Sequence, residues 1–168
     1  MKGQSEIVVF ILLFFVGIIL FSLAFFFSSG IFNQNLDMGK VAFAENIMKS
    51  LNSKIQSTIG YGGSQTFDYA LNENIRILDS QTLEIYFPVS IEVSDYWINV
   101  TSEERSYVRE VKEQGVFRIQ LIYPEADDLR IEFFSDIQVA KPTLITMEKN
   151  STSVVNGKPV IRIRLIFK

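Results

Sequence analysis

Apolar and polar positions follow three regimes along this chain. From Ile7 to Phe27 there are 21 consecutive residues without a charge, and only Gly17, Ser22 and Ala24 among them are not large and apolar. As a helix, that run covers the ~30 Å hydrocarbon core of a bilayer, which needs about 20 residues at ~1.5 Å each. From residue 31 to 59 the pattern becomes amphipathic. Leu36, Phe43, Ala44, Ile47, Met48, Leu51, Ile55 and Ile59 recur at steps of three and four, with Lys40, Glu45, Lys49, Asn52, Lys54 and Gln56 elsewhere. The simplest expectation is one helix over residues 4–60, on the order of 80 Å long at ~1.5 Å per residue, with Ser28-Ser29-Gly30 as a weak point. Its apolar stripe is expected to pack on whatever follows, and Gly60-Tyr61-Gly62-Gly63-Ser64 to end it.

The third regime, over residues 66–168, is alternation. Leu83, Ile85, Phe87 and Val89 fall on one face of a strand, and Phe117, Ile119, Leu121 and Tyr123 on one face of another. Ile161, Ile163, Leu165 and Phe167 face in, while Arg162 and Arg164 face out. Further strands are expected over 74–78, 91–100, 105–112, 129–134 and 137–147. Asp79-Ser80, Ser102-Glu103-Glu104, Gln114-Gly115, Glu125-Ala126-Asp127-Asp128 and Asn150-Ser151-Thr152 would separate them. Asn156-Gly157, between Val155 and Val160, reads as a two-residue hairpin turn. The fold class expected is therefore α+β: a long N-terminal transmembrane helix followed by an antiparallel β-sandwich-like head of seven or eight strands, with the C-terminal strand inside a sheet.

Length and composition narrow the chemistry. At 168 residues the chain has room for one domain and an anchor. It contains no cysteine and no histidine, which removes disulfides, cysteine nucleophiles, histidine bases and the usual zinc, haem and iron–sulfur ligands. Catalytic residues, metals and cofactors are accordingly expected to be none. The net charge of −3 arises from evenly mixed acids and bases, with no basic stretch for nucleic acid. Glu125, Asp127 and Asp128 lack the spacing and glycine of a calcium loop and read as a solvated turn. Glu103-Glu104-Arg105 reads the same way. Tyr96, Trp97 and Tyr107 are taken as ordinary core rather than as a binding surface. Asn99-Val100-Thr101 and Asn150-Ser151-Thr152 are N-glycosylation sequons, in keeping with an exported domain.

The head of the chain, Lys2-Gly3-Gln4-Ser5-Glu6 directly before the apolar run, resembles archaeal type IV pilin precursors with a class III signal peptide. The resemblance covers roughly the first 30 residues. It implies removal of residues 1–3 by a prepilin peptidase cutting between Gly3 and Gln4. It also implies a helix that serves first as membrane anchor, then as the core of a helical homo-oligomer with the β-heads outside. Glu6 would pair with the new Gln4 amine of a neighbouring subunit, although a helix-start residue in the headgroup layer explains Glu6 equally well. Three alternatives stay open. One is a cleaved secretory signal ending near Ser22-Leu23-Ala24. Another is a permanently anchored β-domain that binds a surface layer or a filament-machinery partner, with Lys2 holding the N-terminus inside. The third is an exported enzyme.

Overall fold

A computed structural model describes residues 2–90, 96–103, 105–113, 115–126 and 128–168, with side chains from Ile7 onward. One helix, α1 (Lys2–Tyr61), precedes nine strands among the described residues: β1 (Ser64–Asp68), β2 (Asn74–Asp79), β3 (Thr82–Pro88), β4 (Ile98–Ser102), β5 (Tyr107–Glu113), β6 (Val116–Ile122), β7 (Arg130–Phe134), β8 (Leu144–Val155) and β9 (Lys158–Phe167). The chain divides into two compact units, Met1–Met38 and Gly39–Lys168. The class is α+β, as the patterning implied.

In the first unit the helix runs on through Ser28-Ser29-Gly30 without a break. Ser29 Oγ donates 2.9 Å to the carbonyl of Phe26, so its hydroxyl is satisfied inside the helix instead of competing with it.

The second unit packs two sheets around one core. Strand order is β1-β8-β9-β7 in one sheet and β2-β3-β6-β5-β4 in the other. The alternation read from the sequence is the inward face: Leu83, Ile85, Phe87, Phe117, Ile119, Leu121, Tyr123, Ile163 and Leu165 are all buried. Every pairing is antiparallel except that of β7 with β9, which is parallel. β9 lies between β8 and β7, so the last strand is internal to its sheet.

The C-terminal part of α1 belongs to this core. Ala44, Ile47, Met48, Leu51 and Ile55 are buried together with residues of both sheets. The expected stripe was slightly misdrawn: Phe43 is exposed, whereas Asn52, assigned to the polar side, is only 3% exposed. Gly62 and Gly63 adopt φ of 72° and 82°, a left-handed conformation that suits glycine just past a helix end. The Gly62 amide donates 3.0 Å to the Thr58 carbonyl, and Lys149 Nζ donates 3.2 Å to the Ile59 carbonyl. Both occupy acceptors that the helix end leaves over.

Some strand assignments differ from expectation. The strand foreseen over 137–147 begins only at Leu144. Pro142 cannot donate to a ladder, and Thr143 and Leu144 instead donate 2.6 and 3.1 Å to the Lys168 carbonyl. Asn150-Ser151-Thr152, expected as a separator, lies within β8 because the pairing with β9 shifts between Lys149 and Ser151, bulging out Asn150. β1, which was not anticipated, pairs with β8 over Ser64–Asp68. Of the strand expected at 91–100, residues 91–95 lie outside the described residues, and β4 covers Ile98–Ser102. Asn156 and Gly157 have φ of 52° and 79°, the two positive values that a type I′ hairpin turn requires.

Candidate functional site

The most unusual surface of the molecule is the apolar run. From Ile7 to Phe32 its large side chains are exposed, Phe26 and Phe27 about three-quarters so. The helix is long and apolar enough to cross a membrane, and none of the apolar stretch is buried against protein. Transferring a large apolar side chain from water to an apolar surrounding gains ~1.5–3 kcal/mol. Ten such side chains gain on the order of 20 kcal/mol, above the ~5–15 kcal/mol net stability of a typical domain. An apolar surrounding for this stretch is therefore a requirement, and lipid, a signal-peptide pathway or other helices would each supply one.

Gly3, Gln4 and Glu6, the positions at which the sequence suggested processing and pairing, lie in the helical part of the chain, but their side chains are outside the described residues. Asn99 and Asn150, the two sequon asparagines, are both exposed. Tyr96 and Trp97, expected in the core, are 73% and 39% exposed. Residue type alone misplaced them: they precede β4 and are not part of an inward-facing row. Tyr107 is half-buried. Among the described residues no three His, Cys, Asp or Glu side chains gather as a metal site. Asp127 and Glu104 fall outside the described residues; Asp128 pairs with Arg105 at 3.0 Å.

Two buried polar clusters escaped the sequence reading. In the first, the Oδ1 of Asn52 accepts from Tyr123 OH and from Ser106 Oγ at 3.1 Å, while its Nδ2 donates 2.8 Å to Glu103. Burial pushes the Tyr123 phenol up and the Glu103 carboxylate adds to this, with hydrogen bonds from Gln56 and Ser106 opposing. The phenol thus stays protonated and donates. The arrangement ties α1 to the β4–β5 turn and to the end of β6.

The second cluster crosses the outward face of the five-stranded sheet along one row of paired residues, Arg76, Glu84, Gln120, Arg109 and Asn99. Glu84 is 1% exposed. Its carboxylate lies 2.6 Å from Arg76 and 3.5 Å from Arg118, and it accepts from Gln120 at 3.0 Å. Gln120 Oε1 accepts in turn from Arg109 Nε and Nη2 at 3.0 and 2.9 Å, and the Arg109 guanidinium sits 4.3 Å from the centre of the Trp97 ring. A buried carboxylate with that many donors is a cross-strand clamp, since its charge is compensated on every side. A sequence-level signal did exist: Glu84 and Gln120 occupy the outward positions of strands whose inward faces were correctly read.

Elsewhere Glu110 on β5 approaches Glu45 and Lys49 of α1. Burial raises its carboxyl pKa, the Glu45 charge raises it further, and Lys49 opposes both. No protein-family model, curated protein or solved structure matches this chain.

Proposed function

We propose that the chain is the structural subunit of an archaeal type IV pilus-like filament. Its N-terminal helix holds it in the membrane until assembly and then packs with copies of itself, the β-heads forming the outer wall. The observation that carries this reading is one helix whose apolar N-terminal run is exposed and whose C-terminal part is built into the core of a β-head. Identical subunits repeating one heterologous contact form an open helix, and the apolar run supplies such a contact once it leaves lipid. The head motif Lys2-Gly3-Gln4-Ser5-Glu6 supports processing between Gly3 and Gln4 by a prepilin peptidase. With neither histidine nor cysteine in the chain, the proposed role is non-catalytic.

Intact mass and N-terminal sequencing of the chain from native membrane and shear fractions test the proposal. A start at Gln4 in sheared material is expected, and Glu6→Gln should leave membrane insertion unchanged while reducing sheared filaments. A start at Met1 confined to membranes would instead favour a permanently anchored head with a binding role, for which the exposed Tyr96 and Trp97 beside β4 are the supporting feature. A start near Phe25 in the medium would overturn both.

A further inference from the structure

Of the seven arginines in the chain, six lie within ion-pair distance of a carboxylate: Arg76, Arg105, Arg118, Arg130, Arg162 and Arg164. Among the described residues Arg109 on β5 is the exception. Its Nε and Nη2 both donate to the neutral Oε1 of Gln120, and its guanidinium lies against the Trp97 ring. The same row of the sheet supplies a comparison. Arg76 also stacks on an aromatic ring, that of Tyr86 at 4.8 Å, but its charge is met by Glu84 at 2.6 Å. Arg109 holds the mirror place in the row, with an amide where Arg76 has a carboxylate. A guanidinium is always charged, so Arg109 carries a charge that no acidic side chain nearby offsets.

The fold holds this arginine in place. Gln120 is 4% exposed and donates through Nε2 to the Glu84 carboxylate at 3.0 Å. That bond fixes which way the amide points and turns its oxygen to Arg109. A long side chain ordered beforehand loses less entropy when a ligand arrives. Arg109 is half-buried, and with Nε and one Nη2 hydrogen donated to Gln120, the outer edge of Nη1 and Nη2 is left. That edge suits a carboxylate, which takes two parallel hydrogen bonds from it. Trp97 is 39% exposed, and its indole offers a flat apolar surface next to the cation. Asn99, the cross-strand partner of Arg109, is exposed beside it and adds an amide. A cation, an aromatic surface and an amide therefore share one part of the face.

The geometry points to a binding site for a uronic-acid polysaccharide on this face. Arg109 grips a sugar carboxylate, the Trp97 ring carries the apolar face of the pyranose, and the Asn99 amide bonds to hydroxyls. An acidic peptide would meet the cation but bring no rigid apolar face to the indole. A nucleic acid presents closely spaced phosphates that call for several cations, and this face offers one uncompensated arginine. The inference rests on the exported location proposed above, and on neither filament assembly nor processing.

The test is titration of the full chain in detergent with trigalacturonic acid, followed by calorimetry and by fluorescence of Trp97, the single tryptophan. A saturable response is expected in both, weakened several-fold when the ionic strength is raised to about 0.5 M. Maltotriose, a neutral trisaccharide, should bind about tenfold more weakly, since it gives the guanidinium no charge. Arg109→Gln and Trp97→Ala should each weaken the acidic sugar about tenfold by calorimetry, with the β-sheet circular dichroism retained. Arg109→Lys keeps the charge and loses the fork; it should fall between wild type and Arg109→Gln, and it carries the test if the glutamine variant does not fold. No heat and no fluorescence change at millimolar sugar would overturn the site. Equal binding of maltotriose, or unchanged binding by the Arg109 variants, would overturn the role of the arginine. Equal competition by pentaglutamate or by an oligothymidylate would overturn the assignment to a sugar. Failure of the site leaves a start at Gln4 in sheared material, and with it the filament reading, untouched, whereas binding by a chain that keeps Met1 would support the site while counting against the filament.

Discussion

Replacing Leu51 by alanine tests whether the C-terminal part of α1 is truly part of the head's core. Leu51 is 0% exposed and lies among buried residues of both sheets. The substitution removes three carbons, about 2.4 kcal/mol at ~0.8 kcal/mol each, and the enclosed void adds about 1 kcal/mol, for a total near 3.5 kcal/mol. The unit Gly39–Lys168 is about 130 residues. At ~2.1 cal/mol/K per residue its unfolding entropy is about 0.27 kcal/mol/K, so Tm should fall by roughly 13 °C. The assay is thermal melting of the full chain in detergent, followed by the β-sheet circular dichroism signal and by fluorescence of Trp97, the single tryptophan. Tyr61→Ala is the control on the same helix: its side chain is 91% exposed, and a shift under ~2 °C is expected. Equal shifts for the two variants, or a Leu51→Ala protein melting within ~2 °C of wild type, would refute the packing argument.

Three further outcomes follow from the polar clusters and the sheet order. Asn52→Ala strands the buried Tyr123 and Ser106 hydroxyls and the Glu103 contact, so the same melt should show a loss of about 2–3 kcal/mol. Glu110 has a folded pKa raised above its unfolded value, so the folded state holds the proton more tightly. Its contribution is complete below the unfolded pKa and is lost as pH rises through the folded one. Denaturant titrations should therefore show the head gaining stability on acidification through that window, and Glu110→Gln should flatten the gain; a variant with an unchanged pH slope would contradict it. Deleting the last eight residues removes most of β9, which pairs with both β8 and β7, and should abolish the cooperative melt; an intact transition would show that β9 is dispensable.

The membrane-capable run, the amphipathic segment and most strands were legible because each depends on local periodicity. An apolar residue at every second place can bury only one strand face, and one at every third or fourth only one helix face. The Asn156-Gly157 turn was legible for a similar reason, since its backbone angles suit few other residue pairs. Where the reading failed, local and tertiary demands diverged. Tyr96 and Trp97 look like core by residue type, yet they precede an edge strand. Asn52 looks like solvent face, yet the end of β6 and the β4–β5 turn bring a phenol, a hydroxyl and a carboxylate onto its amide. A buried amide is tolerated only when such partners arrive, and they come from residues more than fifty positions away.

Sequence alone determined that this chain has a helix requiring an apolar surrounding and a β-rich head, because hydrophobic spacing is a one-dimensional property. Tertiary structure decided the parallel β7–β9 pair, the internal place of β9 and the Glu84 clamp. Those features depend on which strands become neighbours, and pairing between distant segments is set by how two sheets and a helix close over one core.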